Sequence, residues 1–390
     1  MKILHLGNVP IPADHPQHAR VAGHQHPGRW VLNHALAQKA AGMDVEIISQ
    51  AHKASCDFDC VIEGVPVHFL RTYHPYRHFT FYLLDSIRMA RRAKSLGADI
   101  VHAHGTEAAY GWAAQRTGLP YCITAQGLFF QILPTLGRRP TWNERFLRWG
   151  EHWVLRRARH VIAKSDYVRE ALAAEYPHLS LSLIPNTYEP GLDTPLEDKT
   201  PHTLAFVGTM DRRKGVHVIA EALPNVVKEI PDLVFHIAGN PDEATASGYT
   251  GEQLRSLRAT LGDRLVLHGK VPSRDLFAML SPCTALVAPS LEEMFGNQLI
   301  ESMMRGCHGI VSDHTAMAEN VRRFGNGTIV PQEDASALAA AIVQTLRHPP
   351  TPAQQETARQ RIRDYMSPES VARKHRNLYQ SILETASRKR

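Results

Sequence analysis

"TALVAPSLEEMFGNQLIESMMRGCHGIVSD", residues 284–313, changes its structural period twice. The apolar run "TALVAPS" has strand length, "LEEMFGN" is rich in turn-forming residues, and "QLIESMMRG" repeats apolar residues at helical spacing and stops at Gly306. A second strand, "HGIVSD", follows. Strand, turn, helix and strand in that order form a parallel βαβ unit. In open α/β sheets ligands sit at the carboxyl ends of strands. Glu292, Glu293 and the backbone of Phe295 to Gln298 are therefore expected at a ligand site. The helix that starts there offers unpaired N–H groups and the positive end of a dipole, which suits phosphate.

The same alternation runs in both directions from this segment. Upstream, "KILHLG", "DVEIIS", "VPVHFL", "DIVHAHG", "PYCITAQG", "HVIAKS" and "LSLIPN" read as strands, with helical patterns such as "WVLNHALAQKAAG" and "YLLDSIRMARRAKSLG" between several of them. The proline-rich stretch 185–202 reads as a linker. Beyond it "TLAFVG", "LVFHIAG", "RLVLHG", "ALVAPS", "HGIVSD" and "GTIVP" read as strands, separated by further helical patterns. The pattern alone predicts two Rossmann-like domains.

Composition narrows the function. The chain has 390 residues and a formal net charge of +6, with all of the excess in residues 1–190: 21 Lys+Arg against 15 Asp+Glu, compared with 23 against 23 afterwards. No dense basic block with interleaved aromatics covers a domain, so nucleic acid is not the expected partner. The excess suits a phosphorylated ligand or anionic lipid. Five cysteines with no CxxC pair suit free thiols in a reducing compartment. A cytoplasmic protein without a transmembrane span is expected.

Glu293 and Glu301 lie eight positions apart, which on a helix is about 12 Å. Hydrolytic carboxylate pairs face one bond from about 5 to 9.5 Å. Acids spaced this widely suit the two ends of an elongated ligand, and carboxylates accept hydrogen bonds from vicinal hydroxyls well. Sugar hydroxyls at both ends with phosphate between describe a nucleotide sugar. In "LAFVGTMDRRKGVHVIAEAL", residues 204–223, Gly208 closes a strand and Arg212, Arg213 and Lys214 crowd the following turn. Cations there neutralise the charge that develops on a leaving diphosphate.

These segments resemble the family-4 retaining glycosyltransferases of the GT-B fold. "VGTMDRRKG", "GNPDE", "HGKVPSRDLFAML" and "APSLEEMFGNQLIESMMRGCHGIVSD" are similar to the family's donor domain, and "DIVHAHG", "ARHVIAKSDYVREAL" and "LIPNTYEPGLD" to its first domain and hinge. The resemblance implies an α/β fold of two Rossmann-like domains with parallel sheets facing a central cleft. The acceptor-side domain would span 1–188 and the donor domain 189–368, with a C-terminal helix over about 369–390 crossing back to the first. It implies that Glu293 contacts donor-sugar hydroxyls, Glu301 the ribose, Lys214 and the amides of Asn297 and Gln298 the diphosphate, and Lys270 and Val271 the base. Lys214 and Glu293 are the expected catalytic pair. Gly208, Phe295 and Gly296 shape the donor pocket, and Arg212 or Arg213 stands in for the arginine that the family carries where this chain has Thr209. On the acceptor side Gly28 takes the place of the family's Gly-Gly loop, and Gln126-Gly127 stands where a His-Gly or His-Asp step is usual; His104, which with His102 ends a strand, is assigned to the acceptor side, with simple packing at the strand end as the other reading.

The expected reaction moves a hexose-type sugar from a nucleoside diphosphate to a hydroxyl without a cofactor or metal, in glycan or glycolipid assembly; the resemblance implies retention by same-face attack. A nucleotide-sugar epimerase and a non-catalytic partner subunit stay open as alternatives. His15, His18, His24 and His26 cluster in the first loop, for which a polar acceptor-side role is favoured over metal binding. The basic, aromatic segment 127–160 reads first as an amphipathic helix packed inward with its arginines in water. Its other reading is a peripheral contact with anionic membrane and a lipid-linked acceptor.

Overall fold

The computed structural model describes residues 1–18, 29–72, 82–106, 109–239 and 248–388. Its strands are β1 (Lys2–Leu6), β2 (Asp44–Ala51), β3 (Phe58–Ile62), β4 (Val65–Arg71), β5 (Ile100–His104), β6 (Tyr121–Thr124), β7 (His160–Ala163), β8 (Ser180–Leu183), β9 (Thr203–Val207), β10 (Val234–Ala238), β11 (Leu265–Gly269), β12 (Ala285–Ala288), β13 (His308–Ser312) and β14 (Gly327–Val330). The chain divides into two compact units. One comprises Met1–Leu133, Arg139–Thr187 and Met366–Arg390, the other Pro134–Arg138 and Tyr188–Tyr365.

The first unit is built on one sheet in the order β3-β4-β2-β1-β5-β6-β7-β8. Its central strands are buried on both faces because helices cover both, as β5 shows by being buried at every position. The sheet is parallel as expected except at one edge, where β3 runs antiparallel to β4. Only Glu63 and Gly64 join those strands, both with positive φ (51° and 82°). Two such residues make a tight hairpin and leave no room for a crossover.

Helices Trp30–Ala40 and Pro368–Ser387 pack together over the face of the sheet that carries Ile3, Ile100 and Cys122. The C-terminal helix starts with Ser367 accepting from the Ser370 amide at 3.2 Å and with Pro368 at a position where no amide hydrogen is needed. It buries Val371, Ala372, Tyr379 and Ile382 in this core. Each large side chain so buried stabilises the fold by about 1.5–3 kcal/mol. The same layer encloses five histidines: His5, His34, His102, His104 and His375. Ring centroids lie 4.2 Å apart for His102 and His104 and 5.0 Å apart for His34 and His375.

The second unit has an all-parallel sheet in the order β11-β10-β9-β12-β13-β14. Leu204, Phe206, Phe235, Ile237, Val287 and Ile310 from the strands meet Ile219, Leu223, Leu338 and Ile342 from the helices in its core. Chain order reverses between β9 and β12. Such a switch point splays the two outgoing turns apart and opens a crevice at the strand ends.

Burial holds His5 down to about 4 and His34 to about 3, and holds His102, His104 and His375 well below their usual 6.5. A depressed histidine stays neutral in the fold while the unfolded chain takes up protons below 6.5. The stability of the first unit is therefore complete above that pH and is lost as pH falls from about 6.5 towards 4. Denaturant titrations at pH 7.5 and 5.0 are expected to show a clearly lower midpoint at pH 5.0; equal midpoints contradict this.

Candidate active site

The turn after β9 and the turn after β12 meet at the switch point of the second unit. Gly208 ends β9 with φ 144°, and its amide donates to the Ala238 carbonyl at 3.0 Å. Asp211 caps the single helical turn Arg212–Lys214, its carboxylate accepting from the Lys214 amide at 3.0 Å, while the Thr209 hydroxyl donates to the same carboxylate at 2.9 Å. Thr209 thus braces the cap.

Two glycines make this approach possible. Gly215 has φ 71°, and a Cβ there would stand 1.9 Å from the Pro289 carbonyl oxygen. Gly296 has φ 82°, and its Cβ would meet Met317 Cγ at 2.4 Å. The turns are stitched by the Leu291 amide donating to the Arg213 carbonyl at 2.7 Å and by the Arg213 guanidinium donating to the Glu292 carbonyl at 3.3 Å. Helix Ala316–Phe324, which the sequence reading passed over, supports the acidic turn. Its Ala316 amide donates to the Glu293 carbonyl at 3.0 Å, and Asn320 donates to that of Phe295 at 2.7 Å.

Lys214 and Glu293 are an ion pair, with Nζ 2.5 Å from Oε2. Gln298, in the first turn of helix Asn297–Met304, donates its side-chain amide to the same oxygen at 3.1 Å. Burial would raise the Glu293 carboxyl, but Lys214 first, then Gln298 and Arg213, overcome it and hold the group down at about 2. The side chains of Lys214 and Glu293 are 12% and 15% exposed, so the pair is largely shielded from water. Arg212 turns away to Glu333 at 2.5 Å, so Arg213 is the arginine that stays with the pair.

Glu301 is half-buried one turn further along the helix, and its carboxyl is pushed up to about 7 by burial first and by the Glu189 carboxylate second. Glu189 belongs to the stretch read as a linker. An acid amid prolines was its only signal there. Lys270 is exposed and Val271 half-buried just past the edge strand β11, two strands from the switch point, so the structure does not bring them into the group around Glu293.

In the first unit Gln126 and Gly127 follow β6 at the strand ends. Lys164 donates to the Gln126 side-chain oxygen at 2.8 Å, and the Thr106 hydroxyl donates to the Gly127 carbonyl at 3.4 Å. His104 is a correction. Its ring is buried beneath Gln126 and lines no surface, because its place in β5 turns it under the covering helices. Gly28, His24, His26 and residues 240–243 of "GNPDE" lie outside the described residues. His15 stacks on Phe58 at 4.4 Å, and His18 hydrogen-bonds the Ile11 carbonyl at 3.0 Å. The ring nitrogens of His5, His102 and His104 converge within 4.8 Å, the arrangement among the described residues nearest to a metal-ligand set.

Helix Trp142–Leu155 in the basic segment starts with a capping box between Thr141 and Glu144 and buries Phe146, Val154 and Leu155. It packs inward as first read, yet Trp142 and Trp149 remain 64% and 50% exposed. Among the described residues no helix is long and apolar enough to cross a membrane.

Removing the charge of Glu301 is expected to stabilise the protein. A raised carboxyl contributes stability while protonated, and that contribution is lost as pH rises through about 7. At pH 8 Glu301→Gln should therefore raise the melting temperature by about 2–4 °C, the shift of about 1 kcal/mol in a unit of this size. A lowered melting temperature at that pH contradicts the assignment.

Comparison with known proteins places this geometry in a family. Residues 201–348 match the family model "Glycosyl transferases group 1", and residues 27–187 match "Glycosyl transferase 4-like domain". The glycogen synthase of Mycobacterium tuberculosis is 28% identical over 388 residues, covering 88% of each chain. The phosphatidyl-myo-inositol mannosyltransferase of Mycobacterium leprae is 34% identical over 148 residues, 37% of each chain. The solved sucrose-phosphate synthase of Thermosynechococcus elongatus superposes with a TM-score of 0.76 at 22% identity, over 98% of this chain and 99% of that one. With both halves of the chain matched and the two-sheet architecture shared, the protein belongs to the glycosyltransferases of the GT-B fold.

Proposed function

We propose that this glycosyltransferase takes a hexose from a nucleoside diphosphate and transfers it to a hydroxyl with retention of configuration. The observation that carries the reading is the Lys214–Glu293–Gln298 cluster at the mouth of helix Asn297–Met304. The cation and the helix amides match a diphosphate, and the acid beside them matches sugar hydroxyls. Glu301, on the same helix, meets the ribose, and Lys270 and Val271 meet the base as the family resemblance implies. Gly208, Phe295, Gly296 and Asn297 shape the pocket between them.

As the bond from the anomeric carbon to the diphosphate breaks, negative charge grows on the leaving oxygen. Lys214, Arg213 and the amides of Asn297 and Gln298 stabilise it. As the family resemblance implies, attack proceeds on the face the diphosphate leaves, and a phosphate oxygen takes the acceptor proton. This route uses no cofactor or metal. Gln126 and Gly127 serve the acceptor side.

The acceptor is a glycan or a lipid-linked glycan. Glycogen synthase and phosphatidyl-myo-inositol mannosyltransferase among the relatives support the two alternatives. Exposed Trp142 and Trp149 on a helix flanked by arginines suit a peripheral seat on anionic lipid at the inner face of the cell membrane.

A thermal-shift screen of UDP-glucose, ADP-glucose and GDP-mannose identifies the donor by the rise in melting temperature. Transfer is then assayed to maltooligosaccharides and to phosphatidylinositol vesicles. Lys214→Ala and Glu293→Gln are each expected to lower kcat/KM by about 10²–10³-fold while the melting curve stays cooperative. Unchanged turnover in both overturns the site assignment.

A further inference from the structure

Three of the five buried histidines take part in a hydrogen-bond chain whose direction is fixed from one end. Lysine only donates, so the Lys164 ammonium, 2.8 Å from Gln126 Oε1, leaves the Gln126 amide nitrogen to face His104 Nδ1 at 3.3 Å. Burial keeps the imidazoles neutral, and a neutral imidazole has one donor and one acceptor nitrogen. His104 Nδ1 accepts, so His104 Nε2–H donates to His5 Nδ1 at 2.8 Å. His5 Nε2–H then donates to Gln38 Oε1 at 2.9 Å, and Gln38 Nε2 donates to the Tyr379 hydroxyl at 3.1 Å. That hydroxyl donates to His102 Nδ1 at 2.7 Å, and His102 Nε2–H donates to the Thr124 hydroxyl at 2.6 Å. Every ring nitrogen of His5, His102 and His104 has one partner of the correct kind.

We infer that Tyr379, on the C-terminal helix, is a positioning residue for Gln126 at the strand ends of the first unit. The chain is one-way, so its links depend on one another. Without the Tyr379 hydroxyl, the Gln38 amide group loses its acceptor, and of its two bonds in the chain the one from His5 Nε2–H is left to oppose its reversal. A reversed Gln38 presents N–H to His5 Nε2 and moves the His5 proton to Nδ1, where it confronts the His104 N–H across 2.8 Å. His104 must then release Gln126, whose carboxamide no longer holds one orientation towards Lys164.

The same logic disfavours a metal at these three rings. An ion bound to both facing nitrogens needs the proton of His104 on Nδ1, which turns the Gln126 amide nitrogen towards Lys164.

The kinetic consequence rests on the acceptor-side reading of Gln126, and the test separates the two. In ¹⁵N–¹H spectra of the wild-type protein, His5, His102 and His104 should all appear as neutral Nε2–H tautomers. Tyr379→Phe, which keeps the buried ring, should disturb His5 and His104 as well as His102. With whichever of maltooligosaccharide or phosphatidylinositol vesicles serves as acceptor, this variant should raise acceptor KM about three- to tenfold, the loss of one buried hydrogen bond, and leave donor KM unchanged. Gln126→Ala should raise acceptor KM at least as much. An acceptor KM that Gln126→Ala raises and Tyr379→Phe does not overturns the positioning role. If Gln126→Ala leaves it unchanged, the acceptor-side reading falls and the kinetic half of the inference with it. An Nδ1–H tautomer at His5 or His104, or one equivalent of Zn²⁺ retained by the trio, overturns the chain itself.

Discussion

An ammonium and a carboxylate held 2.5 Å apart at the switch point of a parallel sheet are the constraint around which the second unit is organised. Lys214 arrives there on a capped turn after β9, and Glu293 on a turn after β12 that a separate helix supports from below. The two turns approach closely at Gly215, and the turn that carries Glu293 seats on its supporting helix at Gly296, both in left-handed backbone conformations. The pair is weakly solvated, so removing either partner would leave the other charge stranded. On the proposed reading, a diphosphate that brings its own negative charge would compete with Glu293 for Lys214, and the carboxylate would be released towards hydroxyl donors on the sugar.

The two acids show how position assigns chemistry. Cations and an amide hold the Glu293 carboxyl down at about 2 against its burial, whereas burial first and the Glu189 carboxylate second push the Glu301 carboxyl up to about 7. One tolerates burial through its partners. The other, ionised, is a cost to the fold, which the proposed ribose contact would explain.

Much of this was legible in the chain. The alternation of strand and helix periods announced two parallel-sheet units. The resemblance assigned Lys214, Glu293 and Gln298 one ligand, and in the structure these side chains bond to one another. Strand β3 was not legible, because "FDCVI" is half-exposed and its pairing depends on two turn residues with positive φ. Helix Ala316–Phe324 is short and polar on one side, and its contribution, hydrogen bonds to the Glu293 and Phe295 carbonyls, leaves no mark on spacing. The choice between Arg212 and Arg213 depended on Glu333, far away in sequence. His104 was placed near a cleft because it ends a strand. Sequence shows the strand end, but the face to which the ring turns follows from register and from the two helices that cover it.

Calorimetric titration of UDP, ADP and GDP, each with and without its sugar, into wild-type protein and Glu293→Gln tests the central claim most directly. If Lys214 is shared between carboxylate and diphosphate, the matching diphosphate alone binds the variant at least as tightly as the wild type, while the extra affinity contributed by the sugar disappears. A diphosphate that binds the variant more weakly, or a sugar nucleotide that keeps its advantage there, contradicts the account.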